Sequence, residues 1–182
     1  MKINYKMLLL TVGLIFGTSV AQGGPVPVTY TATFATVLVS GCPTCSATDP
    51  TGLVANAVGH ELFGGPHPWD VWANSSERLT VANGIGVDFT LPGKTFDLNK
   101  LTLFGLSAKY STTAPLTYNV VAYHPGNPVP DVIPFTIAAR VVRTVDLTGY
   151  TQLKNLEKVS ISYPATSYIG KTNFIGVEFN RH

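Results

Sequence analysis

The chain has 182 residues, and only 12% of them are charged, about half of the roughly 25% usual in a soluble domain. Twelve Lys and Arg stand against ten Asp and Glu, and that balance gives neither nucleic acid nor an anionic membrane surface an electrostatic handle. Both are therefore excluded as expected partners.

The N-terminus predicts export. Lys2 and Lys6 are followed by an apolar run from Met7 to Phe16, and Ser19 and Ala21 put small residues where a signal peptidase reads. This is the three-part plan of a secretory signal peptide over 1–21, and its apolar run is short for a membrane span. Cleavage after Ala21 would remove two lysines and leave ten basic against ten acidic residues. What remains, 22–182, is long enough for one domain with a real core. It is expected to be secreted, extracellular and free of the membrane.

From Val28 the chain alternates Val28, Tyr30, Ala32 and Phe34 against Thr29, Thr31 and Thr33. Period two with β-branched and aromatic residues predicts a half-buried strand. Cys42-Pro-Thr-Cys45 is the one cysteine pair. In an oxidising compartment it is expected to form a local disulfide across a Pro-containing turn, closing too few residues to add much stability. Leu53 to Leu62 reads equally as one helical turn or a short strand.

Gly64-Gly-Pro-His-Pro68 breaks regular structure. Arg78–Ala82 then resumes a strand, and Asn83-Gly84 predicts a hairpin from Leu79–Val81 to Gly86–Leu91. Further strands are predicted at Phe96–Leu106, Leu116–Tyr123, Phe135–Val142, Val145–Leu147, Lys158–Tyr163 and Phe174–Phe179. Within the last, Phe174 and Phe179 share a face only if a bulge interrupts the strand at Gly176. The loop His124-Pro-Gly-Asn-Pro-Val-Pro130 is too proline-rich to join a sheet interior. Eight or nine strands with frequent turn signals and no sustained helical period predict an all-β fold, an antiparallel β-sandwich.

Several segments carry a family likeness: Phe96-Asp-Leu98 entering a strand, V-x-A-Y-x-P-G at Val120–Gly126, and T-V-D-L-T-G-Y at Thr144–Tyr150. L-x-x-V-S-I-S at Leu156–Ser162 and I-G-V-E-F at Ile175–Phe179 complete it. In these the chain resembles secreted jelly-roll domains of the galactose-binding-like type, found in fungal and bacterial exported proteins. The resemblance spans roughly half of the mature chain and implies a jelly-roll β-sandwich; function must come from a site.

The densest chemistry-bearing stretch is His60-Glu61 to Asn74. The helical His-Glu-x-x-His spacing of a zinc site is absent, so no metal and no cofactor is expected. Trp69 and Trp72 suggest a glycan contact, since an indole stacks on a sugar's apolar face while nearby polar groups bind its hydroxyls. Either tryptophan could instead fill the core. Trp69, Asp70, Trp72 and His124 are the candidate ligand contacts. Asn74-Ser-Ser76 is an N-glycosylation sequon. Asp88, Asp97, Asp131, Asp146, Glu157 and Glu178 are scattered singly, which does not suggest a glycosidase pair, and a Gly-x-Ser-x-Gly elbow is absent. The expectation is a non-catalytic module that binds an extracellular glycan or sits in a cell wall or matrix. A secreted module or effector that binds a protein partner, and a hydrolase with a spatially assembled site, are the alternatives.

Overall fold

The computed structural model describes residues 26–35, 39–42, 46–58, 70–74, 78–82, 86–107, 114–162 and 169–182. The expected signal segment 1–21, Cys45, His60, His67, Trp69 and the Asn83-Gly84 dipeptide lie outside them.

Strands dominate the described chain: β1 (Thr29–Ala32), β2 (Val39–Cys42), β3 (Ser46–Thr48), β4 (Val54–Val58), β5 (Asp70–Asn74), β6 (Arg78–Ala82), β7 (Gly86–Thr90), β8 (Phe96–Ser107), β9 (Leu116–Tyr123), β10 (Asp131–Ile137), β11 (Val142–Asp146), β12 (Lys158–Ser162) and β13 (Ile169–Arg181). One 3₁₀ turn, Thr151–Leu153, precedes β12. No helix among the described residues is long and apolar enough to cross a membrane. The expected all-β class holds. The strand number exceeds the expectation: β2 and β3, of four and three residues, are too short to display a period, and β5 is not among the strands predicted.

The strands form two antiparallel sheets. One runs β11-β8-β13-β6-β5-β2, with β1 also paired to β13; the other runs β10-β9-β12-β7-β4-β3. From β6 onward the chain changes sheet at every step except β9 to β10. It thereby lays down two four-stranded layers, β11-β8-β13-β6 and β10-β9-β12-β7. That is the wiring of an eight-stranded jelly roll, with β2 to β5 widening both layers. The pattern begins at β6, well before the segment that carries the family likeness.

Two sequence expectations fail here. The predicted Asn83-Gly84 hairpin does not form, because β6 pairs with β5 and β13 while β7 pairs with β4 and β12. The connection crosses between sheets, and a tight-turn dipeptide cannot reveal that. The predicted strand Phe135–Val142 is two strands. β10 ends at Ile137, Arg140 takes a positive φ of 61°, and β11 continues in the other sheet. Leu53–Leu62 resolves toward strand over Val54–Val58.

The core lies between the layers and is built by alternation. In β9, Leu116, Tyr118, Val120 and Ala122 are buried while the intervening residues are partly open. Phe89 of β7 meets Phe174 of β13 edge-on, with ring centroids 5.4 Å apart, so aromatic packing joins the two sheets. The bulge expected in β13 is present: the register slips between Phe174 and Gly176. Strict alternation from Phe174 would turn Glu178 inward and Phe179 out. The slip instead buries Phe174, Val177 and Phe179 together.

A polar contact also crosses the core. The Tyr118 hydroxyl, on β9, lies 3.1 Å from Thr172 Oγ1 on β13, and both residues are buried. Burial pushes the Tyr118 phenol up to about 12, against a smaller opposing effect of the Thr172 hydrogen bond. Gly105 on β8 makes the room: a Cβ there would run into the Tyr118 hydroxyl and the Leu116 side chain. Gly105→Ala is therefore expected to destabilise the fold by about 1–3 kcal/mol through overpacking. Tyr118→Phe should cost about 1 kcal/mol but recover part of the Gly105→Ala loss in the double variant, as read from urea unfolding midpoints.

Candidate functional site

The side chains that face away from the core on the six-stranded sheet are set by pairing register. Ser46, Asn56, Asp88, Ser160, Val121 and Val132 stand opposite one another across β3, β4, β7, β12, β9 and β10. Beside them runs a second row of Thr48, Val54, Thr90, Lys158 and Tyr123. Asn119 and Ser162 pair in a third. Each alternates with buried core residues such as Ala55, Phe89, Val159 and Ile161, so the pattern that builds the core also aims these groups outward.

The middle of this face is a bonded cluster. Lys158 Nζ lies 3.2 Å from Asp88 Oδ2 and 4.0 Å from the centre of the Tyr123 ring. The Ser160 hydroxyl donates to Asp88 Oδ1. Lys158 therefore spends its charge on a carboxylate and an aromatic face at once. Tyr123, Asn56 and Thr90 are half-buried, and Ser46 and Thr48 are exposed. The result is a face on which hydroxyls and an amide are interspersed with Val54, Val121 and Val132 and stand beside one aromatic ring.

Directly after Tyr123, His124 Nε2 lies 3.2 Å from Asp131 Oδ2 across the loop between β9 and β10. The loop itself is shaped by the Asn127 carboxamide, which accepts from the Val129 N–H. Asp70 and Trp72 stand on β5 in the other sheet, next to the β2 edge, whereas β9 is next to the β10 edge of its own sheet. His124 is thus paired with Asp131 and stands on a different sheet from Asp70 and Trp72. Trp69 lies outside the described residues. So does Cys45, so the pairing with Cys42 at the end of β2 is undescribed. Asn74 closes β5.

A second polar cluster ties strand ends together near the start of β8. The Asp97 carboxylate accepts from the Asn155 N–H at 2.9 Å, meets the His182 ring at 2.7 Å and faces Lys154 Nζ at 3.7 Å. Lys154 also donates to the Asn99 carboxamide oxygen, and Asn99 and Thr29 both donate to Asn180. Partial burial pushes the Asp97 carboxyl up, but the Asn155 hydrogen bond, His182 and Lys154 together hold it below the usual carboxylate value. These groups spend their hydrogen bonds on one another, as a clasp does.

Three further carboxylates are partnered in the same way: Glu178 with Lys100 at 3.0 Å, Asp146 with the Thr148 N–H and hydroxyl, and buried Asp49 with the N–H groups of Thr33, Phe34 and Thr51. These partners are cations, hydroxyls or backbone N–H groups, not a second carboxylate. Among the described residues, no cluster of three or more His, Cys, Asp or Glu could hold a metal ion. Sequence reasoning missed Tyr123, Lys158, Asp88, Ser160 and Asn56 as a group. Their outward parity is readable, but the register that aligns their four strands is not.

No protein-family model matches the chain, and no curated protein matches it. Among solved structures it is similar to a point mutant of CBM29-2, a family 29 carbohydrate-binding module. That likeness has 8% identity and a TM-score of 0.39, over 71% of this chain and 91% of the other. A likeness this loose says nothing about which residues here touch a ligand.

The Asp97 clasp sets a pH dependence. A carboxyl held below its unfolded value adds stability above about pH 4, and that stability is lost as pH falls through the folded value. Asp97→Asn is accordingly expected to lower the urea midpoint at pH 7, with the gap from the unmodified protein closing below about pH 4. A gap independent of pH would show that the Asp97 charge contributes nothing.

Proposed function

We propose that the chain is an exported, non-catalytic recognition domain that binds an extracellular carbohydrate. The observation that carries this reading is the outer face of the six-stranded sheet, where aligned hydroxyl and amide side chains stand beside the half-buried Tyr123 ring. Sugars offer apolar ring faces and many hydroxyls, and recognition needs an aromatic surface with a few placed polar groups. The partnered carboxylates support a binding role over glycoside hydrolysis, which needs an acid and a second carboxylate set across one bond. The export segment over 1–21, one domain over 22–182, the local Cys42–Cys45 disulfide and glycosylation at Asn74 belong to the same proposal. They are all consistent with an extracellular setting. Trp69, Asp70, Trp72 and His124 remain candidate contacts within the same proposal, with Asp70 and Trp72 on the other sheet from Tyr123.

A second reading follows from a different observation. Val129, Val132, Val141 and Val142 are exposed along the free edges formed by β10 and β11. Pro134 removes a donor from β10 and blunts it, but β11 has no such guard, so this flank is the place for a protein partner. A stoichiometric partner whose capture is lost on Val142→Asp would favour it over the glycan reading.

Retention on immobilised polysaccharide tests the first reading. Tyr123→Ala is expected to weaken retention about tenfold, equivalent to ~1.4 kcal/mol, with little change in melting temperature. Trp69→Ala should act in the same direction; a large fall in melting temperature would instead place that indole in the core.

A further inference from the structure

Resting on that reading, we infer that the face takes an uncharged oligosaccharide chain lying across the strands, and discriminates against both acidic and amino polysaccharides. The first ground is charge. In the two rows from Ser46 to Val132 and from Thr48 to Tyr123, the ionisable side chains of opposite sign are Lys158 and Asp88, and they neutralise each other at 3.2 Å. Lys158 is further engaged by the Tyr123 ring at 4.0 Å, and Asp88 by the Ser160 hydroxyl. A uronate would have to draw Lys158 away from a carboxylate that already holds it. An ammonium-bearing sugar would have to displace Lys158 from Asp88. Each exchange breaks one charge-assisted contact to make another, with desolvation added. A hydroxyl asks for no such exchange, since Asn56, Thr90, Ser46 and Thr48 offer neutral donors and acceptors beside the cluster.

The second ground is direction. The aligned groups run perpendicular to the strands, from Ser46 on β3 through Asn56 on β4 and Asp88 on β7 to Ser160 on β12, which is itself buried and bonded to Asp88. At about 4.8 Å per strand, those three steps span roughly 14 Å, and a fourth reaches β9. Such a row is longer than a single sugar ring and suits the interior of a chain. Along any one strand the outward groups change character: β9 presents Asn119, then Val121, then Tyr123. Val121 on β9 and Val132 on β10 close the row with apolar groups at one end, while β3 leaves it open at the other.

The test uses the full mature chain in affinity gel electrophoresis and calorimetry against three probes: neutral polymers (a β-glucan, a galactomannan and a xylan), polygalacturonate, and chitosan. The expected result is retardation by at least one neutral polymer, at least about tenfold tighter than either charged polymer. That binding should change less than about twofold between 50 and 500 mM salt, because neutral contacts are not screened. Affinity for oligosaccharides of the bound polymer should rise at least about tenfold from one unit to three or four. Asp88→Asn, which releases Lys158, should add salt-sensitive binding of polygalacturonate that the unmodified chain lacks. Tighter, salt-sensitive binding of polygalacturonate or chitosan by the unmodified chain overturns the inference and leaves carbohydrate recognition standing. Equal affinity for one unit and four overturns the lengthwise placement. Absence of binding to every polymer, together with a blank glycan array, removes the carbohydrate reading itself.

Discussion

The fold depends on the pairing of β8 with β13. These are the two longest strands, and their ladder runs from Ile169 opposite Ser107 to Arg181 opposite Phe96. Strands that long cannot stay straight in a twisted sheet and keep one face dry throughout. The slips at Gly176 on β13 and between Glu178 and Phe179 reset the alternation, so Phe174, Val177 and Phe179 all point inward beside Leu98, Leu101 and Leu103. Every other strand of the seven-stranded sheet is placed by this pair. β11 takes the free side of β8, while β6 and β1 share the free side of β13 at its two ends.

The second layer is locked to that ladder through few but specific contacts. Phe89 packs edge-on to Phe174, Phe34 lies against Phe89, and Tyr118 reaches Thr172 through the gap left by Gly105. A hydroxyl pair in the core is satisfied only when the two sheets are stacked in one registration, since an unpaired buried hydroxyl is costly. The apolar contacts supply attraction in any approximate stacking; the Tyr118 contact selects one. That selection fixes which residues of β7, β9 and β12 are left on the outside.

How much of this could be read from the chain divides along the range of the interaction. Side-chain parity is local, so the burial alternation of Leu116–Tyr123, the burial of Leu101 and Leu103 and the break in alternation at Gly176 were all legible. Strand pairing is not local. Asn83-Gly84 carries a strong local preference for a two-residue hairpin, yet the strands that flank it lie in different sheets. Phe135 to Val141 keeps a period of two, yet β10 ends at Ile137, opposite the first residue of β9, and the chain turns at Arg140 into the other sheet. The Trp69 to Asn74 stretch is conspicuous because its indoles and polar groups are neighbours along the chain. Tyr123, Lys158, Asp88 and Asn56 come from four strands, and no spacing in the sequence unites them.

That last contrast bears on where recognition belongs in such a molecule. Rim loops can present aromatic groups, but each loop is positioned by its own ends. A row across β3, β4, β7, β12 and β9 is positioned by four backbone ladders and has little conformational freedom left to lose on binding. The cost of that rigidity is shallowness, since a pleated face offers no pocket to enclose a small ligand. A flat face gains affinity only by meeting a ligand that repeats, so that weak contacts add along its length. The charges follow the same logic: a bare lysine on an open face would attract polyanions indiscriminately, and Asp88 and Tyr123 remove that option while leaving the hydroxyl row intact. Rigidity, flatness and internal neutralisation together favour a long, uncharged, hydroxyl-bearing chain over a compact or ionic ligand.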